Sequence, residues 1–169
     1  MTTIHPDLSA QARIDTPLGP MTAAATPRGL AGLWFDGQAH HPGALAAPLQ
    51  PGQRWLKAAS TAITRYFEGD ENALRGLRLD LHGTPFQRAV WDALQRLRRG
   101  QTTSYAVIAA QAGSPAAVRA AGAAIGRNPV SVLVPCHRVL GSAGALTGYA
   151  GGLERKRALL ALEGIAAAR

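Results

Sequence analysis

A single cysteine, Cys136, is all the thiol this chain carries. One cysteine cannot close an internal disulfide, which excludes a disulfide-stapled scaffold and fits a reducing, cytoplasmic compartment. No stretch reaches the roughly 18 uninterrupted apolar residues of a membrane span, because arginines break every alanine-rich run. The start, MTTIHPDLSA, has neither a basic n-region nor an apolar h-region, so no secretory leader is read there. The five histidines are scattered without zinc-ligand spacing, and no metal is expected. Acidic residues are scarce in one half only. Within residues 82–169, Asp92, Glu154 and Glu163 stand against eleven basic side chains, so the entire formal charge of +8 lies there. Residues 1–81 carry seven of each sign. A basic surplus confined to one half is the footprint of a phosphate-contacting module, or of a plain arginine bias.

The length of 169 residues and a 47% hydrophobic content suit one sizeable domain or two small ones with a real core. The first half reads as a small α/β unit. TPLGPMTAAATPRGLAGLWF predicts two extended stretches about a turn at Thr26-Pro27-Arg28-Gly29. QRWLKAASTAITRYFEGD predicts a helix with Trp55, Ala59, Ile63, Tyr66 and Phe67 on its core stripe and Gly69 just past its end. A boundary falls near DLHGTPF, giving domains 1–81 and 82–169.

The second half is helical. Thr84-Pro85-Phe86-Gln87 is a capping box launching a helix through Val90, Leu94 and Leu97 that Gly100 stops. Ser104 caps a short helix ending at Gly113, and Ser114-Pro115 starts another that runs to Ile125. The pair is a helix-turn-helix candidate. Its second helix has one long polar side chain, Arg119, where a base-reading helix needs several. Either this smooth helix lies against a duplex without reading its sequence, or it is packed among its neighbours with Arg119 merely solvated.

PVSVLV, bounded by prolines, predicts a buried strand leading into Cys136. Asn128 precedes Pro129, which ends the foregoing helix and brings the amide into the vicinity of the thiol. His137 and Arg138 follow the cysteine, a base and a cation of the kind that favour a nucleophilic thiolate. Strand neighbours point to opposite faces, so His137 reaches the sulfur only through a turn or a bridging water. From these residues alone, Cys136 is a nucleophile or an inert buried thiol. A Ser142-Ala143-Gly144 turn, the glycine-rich TGYAGG and a last helix carrying Glu163 and ending at Gly164 complete the chain.

PCHRV at 135–139, with GRNP before it and TGYAGGLERKRALLALEG after it, resembles the O6-alkylguanine-DNA alkyltransferases. GTPFQRAVWDAL and TSYAVIAAQAGSPAAVRAAG fit the same family, so the resemblance runs almost unbroken from about 83 to 164. It implies a ribonuclease-H-like α/β N-terminal domain and a mainly helical, winged-helix-like C-terminal domain with a helix-turn-helix. It implies direct-reversal repair: irreversible transfer of the alkyl group from O6-alkylguanine, and less well O4-alkylthymine, in double-stranded DNA to the protein's own cysteine. Each molecule acts once, without a cofactor. By the same resemblance Cys136 accepts the alkyl group, His137 deprotonates it through a water, Glu163 orients the histidine and Asn128 holds the turn. Tyr105 donates to the guanine ring nitrogen, Tyr149 shapes the pocket, Val139 reads the exocyclic amine through its carbonyl, and Ala150 contributes its N–H. Arg119 fills the stack when the base flips out, with Ser104, Ala120, Gly122 and Arg127 against the DNA. The protein is expected to be monomeric and free of metal, with association along DNA left open. LRRG at 97–100 departs from the Ile-Pro-x-Gly of many relatives. Rival readings are a sequence-reading regulator, which lacks the polar helix it would need, a cysteine-free damage sensor, and a Cys-His hydrolase.

Overall fold

The computed structural model describes residues 7–166. Residues 1–6 of the stretch searched for a leader, and Arg169 of the basic count, lie outside the described residues. The chain divides into two compact units, Met1–His82 and Gly83–Arg169.

In the first unit, β1 (Ala10–Ile14), β2 (Met21–Thr26) and β3 (Gly29–Phe35) form an antiparallel sheet in that order. The expected turn joins β2 to β3, and Thr26 Oγ1 accepts from Arg28 N at 3.1 Å inside it. β1 escaped the sequence reading because two of its three inward residues are alanines, which give alternation little hydrophobic contrast. Gly29 permits a close approach: a Cβ there would lie 2.9 Å from the Arg78 carbonyl. Residues 78–80 therefore run beside β3, with Leu30 N donating to Arg78 O and Asp80 N to Leu30 O.

Helix α1 (Arg54–Phe67) covers the sheet. The Gln53 side chain accepts from Trp55 N and Leu56 N, and Gly69, at φ +94°, turns the chain away. Ala59, Ile63 and Tyr66 are buried as expected, but Leu56 and Ala62 complete the stripe. Trp55 and Phe67 flank it, half-buried. The Trp55 indole reaches sideways to Pro27 O at 3.2 Å.

In the second unit the capping box forms: Thr84 Oγ1 accepts from Gln87 N, and Gln87 Oε1 from Thr84 N. Helix α2 (Pro85–Gln95) ends before the expected Gly100. Beyond its cap, side chains bond the backbone of the next two residues, Arg138 Nη1 donating to Leu97 O and Gln101 Oε1 accepting from Arg98 N. The turn then closes at Gly100, φ +87°. β4 (Thr103–Ser104) pairs in parallel with β5 (Val139–Leu140) and leads into α3 (Tyr105–Gln111), where Ser104 Oγ accepts from Val107 N. Helix α4 (Val118–Gly126) starts three residues later than expected. A turn closed by Ala117 N donating to Ser114 O occupies Ser114–Ala117, and Ala117 is not helical (φ −95°, ψ 44°). Helix α2 packs on both α3 and α4, and the buried Trp91 indole donates to Ala124 O at 2.9 Å. Helix α5 (Leu153–Leu162) ends on Glu163, followed by Gly164 at φ +82°.

The PVSVLV strand is not there. Val130, Val132 and Val134 are fully buried, but Val134 N donates to Val130 O and Leu133 N to Ser131 O, curling the segment into a turn with Val132 at φ +74°. Hydrophobicity and β-branching foretold burial correctly. The extended shape loses to Asn128, whose side chain bonds both ends of the curl.

Candidate active site

Asn128 follows α4, and both ends of its side-chain amide are engaged. Its Oδ1 accepts from Val130 N at 2.9 Å, and its Nδ2 donates to Val134 O at 2.7 Å and to Cys136 Sγ at 3.2 Å. One buried amide thus fixes the turn and points a donor at the sulfur. Residues Cys136–Arg138 form a 3₁₀ turn, not an extended segment. The objection that strand neighbours face opposite ways therefore lapses for Cys136 and His137.

His137 is fully buried, and its Nε2 lies 2.7 Å from Glu163 Oε2. Burial tends to raise the Glu163 carboxyl, but hydrogen bonds from His137 and Arg138 outweigh it and bring it down to about 2. The carboxylate is ionised at neutral pH and can only accept, so Nε2 carries the proton and Nδ1 the lone pair. Burial pushes His137 below its ordinary value despite Glu163 beside it, leaving a neutral imidazole. Its Nδ1 is buried and has no hydrogen-bond partner among the described residues. Burial also pushes the Cys136 thiol up to about 11, against the Asn128 hydrogen bond and the Lys156 charge. The resting sulfur is a protonated thiol beside a base that is free to take its proton.

Two further residues hold this arrangement: Arg138, expected as a cation acting on the thiolate, bonds the carboxylate instead, and Lys156 escaped the sequence reading. Arg138 bonds both Glu163 oxygens, Nε to Oε1 at 2.6 Å and Nη2 to Oε2 at 3.2 Å, and so aims the carboxylate at His137. Lys156, in α5, is completely buried and donates to Val139 O at 2.6 Å, Thr147 O at 2.5 Å and Gly148 O at 3.0 Å. Burial lowers it to about 8, and the charge of Cys136 counts in the opposite sense. Three convergent carbonyls suit a compact ammonium and not a planar guanidinium. A signal existed: of eighteen basic residues only two are lysines.

Tyr105, the first residue of α3, donates to Thr147 O at 3.4 Å. A Cβ at Gly148 would come within 3.5 Å of its hydroxyl, and one at Gly122 within 3.7 Å of its ring. Tyr105 is thus held between α4 and the loop that Lys156 ties to Val139. Tyr149 and Ala150 are half-buried in that loop, which Gly152 N closes onto Tyr149 O at 2.9 Å. Arg119 and Ala120 lie on the exposed face of α4, and Arg127 caps its end, half-buried. Neither arginine side chain has a hydrogen bond or ion pair among the described residues, whereas Ser104 is spent on its cap. The α4 face and the Cys136 cluster belong to one unit, linked by Asn128, which follows α4 and donates to Cys136 Sγ. Among the described residues no three His, Cys, Asp or Glu side chains gather as metal ligands, and no helix is long and apolar enough to cross a membrane.

Residues 11–81 match the family described as 6-O-methylguanine DNA methyltransferase, ribonuclease-like domain, and residues 85–165 the same family's DNA binding domain. A methylated-DNA–protein-cysteine methyltransferase of Mycobacterium bovis is 45% identical over 150 residues, 89% of each chain. One from Salmonella typhimurium is 51% identical over 105 residues, 62% of this chain and 61% of its own. The O6-methylguanine methyltransferase structure of Mycobacterium tuberculosis superposes with a TM-score of 0.81 at 43% identity, covering 95% of this chain and 96% of that one. The OGT of the same organism in complex with DNA does so with 0.81 at 43%, covering 91% and 92%.

Proposed function

This chain belongs to the 6-O-methylguanine DNA methyltransferase family, and on that premise we propose that Cys136 is the alkyl acceptor in its repair reaction. The activity is direct reversal: an alkyl group leaves guanine O6 in DNA for a cysteine of the protein itself. One observation carries the assignment. The chain's single cysteine sits within hydrogen-bond distance of Asn128 and next to the buried His137–Glu163–Arg138 chain.

In the proposed step His137 Nδ1 takes the thiol proton through a bridging water, and the thiolate attacks the alkyl carbon. The S–C bond forms as the C–O6 bond breaks, and its electron pair passes into the guanine ring. The Tyr105 hydroxyl gives the departing base a proton at a ring nitrogen. Glu163 stays ionised and steadies the imidazolium. The Val139 carbonyl, already pinned by Lys156, has a second lone pair for the guanine amine, and Tyr149 with the Ala150 N–H borders the base. The thioether product has no leaving group that water readily displaces, so each molecule acts once.

The helix pair α3–α4 serves as a helix-turn-helix in a winged-helix-like domain. Its bare face of Ala120, Gly122 and Ala123 rests on the minor groove, with Arg119 entering the stack and Ser104 and Arg127 near the phosphates. Flipping the base out costs a few kcal/mol, which Arg119 offsets by filling the gap. The protein acts as a monomer without metal, on alkylated guanine and less well on O4-alkylthymine, in a cytoplasm that keeps the acceptor reduced. Incubation with a duplex containing O6-methylguanine, followed by intact-mass measurement, should add one methyl group and stop. Cys136→Ser should gain none. Continued turnover, or methylation of the serine variant, would refute the assignment.

A further inference from the structure

The N-terminal unit is electrically neutral overall, yet five of its seven basic residues line one groove. The groove encloses about 480 Å³ between one face of α1 and the segment 73–78. Arg54, Lys57 and Arg65 stand along the helix wall, and Arg75 and Arg78 along the other. Small residues, Ala58, Ala62 and Ala73, make the space between them.

Only Arg65 among the five has an acidic partner, Asp70. Arg54, Lys57, Arg75 and Arg78 have no ion pair among the described residues. The unit has seven carboxylates and spends none on these four, so like charges are gathered uncompensated at some cost in stability. The walls are fixed. Arg78 is pinned through its carbonyl to Leu30, and the Arg54 guanidinium lies 4.1 Å over the Trp55 ring, whose indole is tied to Pro27.

The layout decides what kind of anion fits. Eleven residues of helix separate Arg54 from Arg65, about 16 Å of rise, so the cations run in a line instead of converging on a point. The amides at the start of α1 are occupied by Gln53, which removes the usual seat for a single phosphate. A linear array facing a shallow trough suits a polyanion of evenly repeated charge.

We propose that this groove is a second DNA-contacting surface, one that grips the phosphodiester backbone without reading bases. It would strengthen the hold on undamaged DNA during the search for rare lesions, by counterion release. It is independent of the role given to Cys136, since all its residues lie between 54 and 78.

The test compares two double charge reversals of equal net charge in the full chain: Arg54→Glu/Lys57→Glu in the groove, and Arg13→Glu/Arg28→Glu outside it. Binding to an undamaged duplex is followed by fluorescence anisotropy across a salt series. The groove pair should flatten the log–log salt slope by roughly 2 relative to the outside pair, about 0.9 for each phosphate that is no longer neutralised. Methyl transfer from free O6-methylguanine base to Cys136, equal in all variants, shows that fold and chemistry are intact. Equal slopes for the two pairs would overturn the proposal. Should a reversal pair fail to fold, Lys57→Gln against Arg13→Gln makes the same comparison, with an expected difference of about 0.9 and none as the refuting result.

Discussion

At the residue scale, three side chains beyond the thiol set the chemistry, and all three report through pH. Glu163 is held near 2 in the folded protein against an ordinary 4.5. Its contribution to stability is therefore complete above about 4.5 and drains away as pH falls toward 2. His137, depressed by burial, acts in the same sense below its ordinary 6.5, because the unfolded chain takes up the proton first. Urea denaturation should show wild type losing roughly 2–3 kcal/mol of its advantage over Glu163→Gln between pH 7 and pH 3. A gap independent of pH would mean that the carboxylate is not held as described. Lys156 sits near 8 and favours the thiolate that forms during transfer, so alkyl transfer from free base should show an inflection near pH 8 as the ammonium is lost. Lys156→Met should abolish that inflection and slow transfer at least tenfold, because the carbonyls of Val139, Thr147 and Gly148 lose the donor that ties them together. It should also destabilise the protein by about 2–4 kcal/mol, read from the same urea curves.

At the scale of elements, α4 carries the sharpest expectation. Arg119 is its one long polar side chain and is exposed without a partner among the described residues. Arg119→Ala should lower the repair rate on duplex DNA by roughly 5- to 150-fold, corresponding to about 1–3 kcal/mol of flipping cost no longer offset. Reaction with free O6-methylguanine should hardly change. Equal losses on both would indicate a damaged fold instead of a missing wedge.

Elements governed by local rules were legible beforehand: the Thr84 capping box, the Ser104 cap, and the Gly69, Gly113 and Gly164 stops all act through neighbours within four residues. Elements governed by distant partners were not. Just past the end of α2, Leu97 O accepts from Arg138, forty-one residues away. The 130–134 segment curls because one amide satisfies its backbone better than a sheet edge would. Cys136, His137 and Glu163 could be named from a motif, but the Arg138 grip on Glu163 and the burial of Lys156 depend on packing that no local pattern carries.

At the scale of the whole molecule, the distribution of charge is also a distribution of residue kinds. Sixteen of the eighteen basic side chains are arginines. The two lysines have opposite fates, Lys57 exposed on α1 and Lys156 sealed beneath the active-site loop. The lone thiol is buried as well. To an amine- or thiol-directed reagent this strongly cationic protein is therefore nearly blank: in the native state Lys57 is the single reactive ε-amine, and a fluorophore placed there reports on the α1 groove from a defined point. The carbonyls of Val139, Thr147 and Gly148 hold Lys156, so slow incorporation there should follow the opening of that loop, whereas Cys136, which meets free O6-methylguanine in the folded protein, should label on a faster course of its own. Mass-resolved labelling over hours would time that opening directly, and labelling of Lys156 as fast as Lys57 would show that the loop does not cover it.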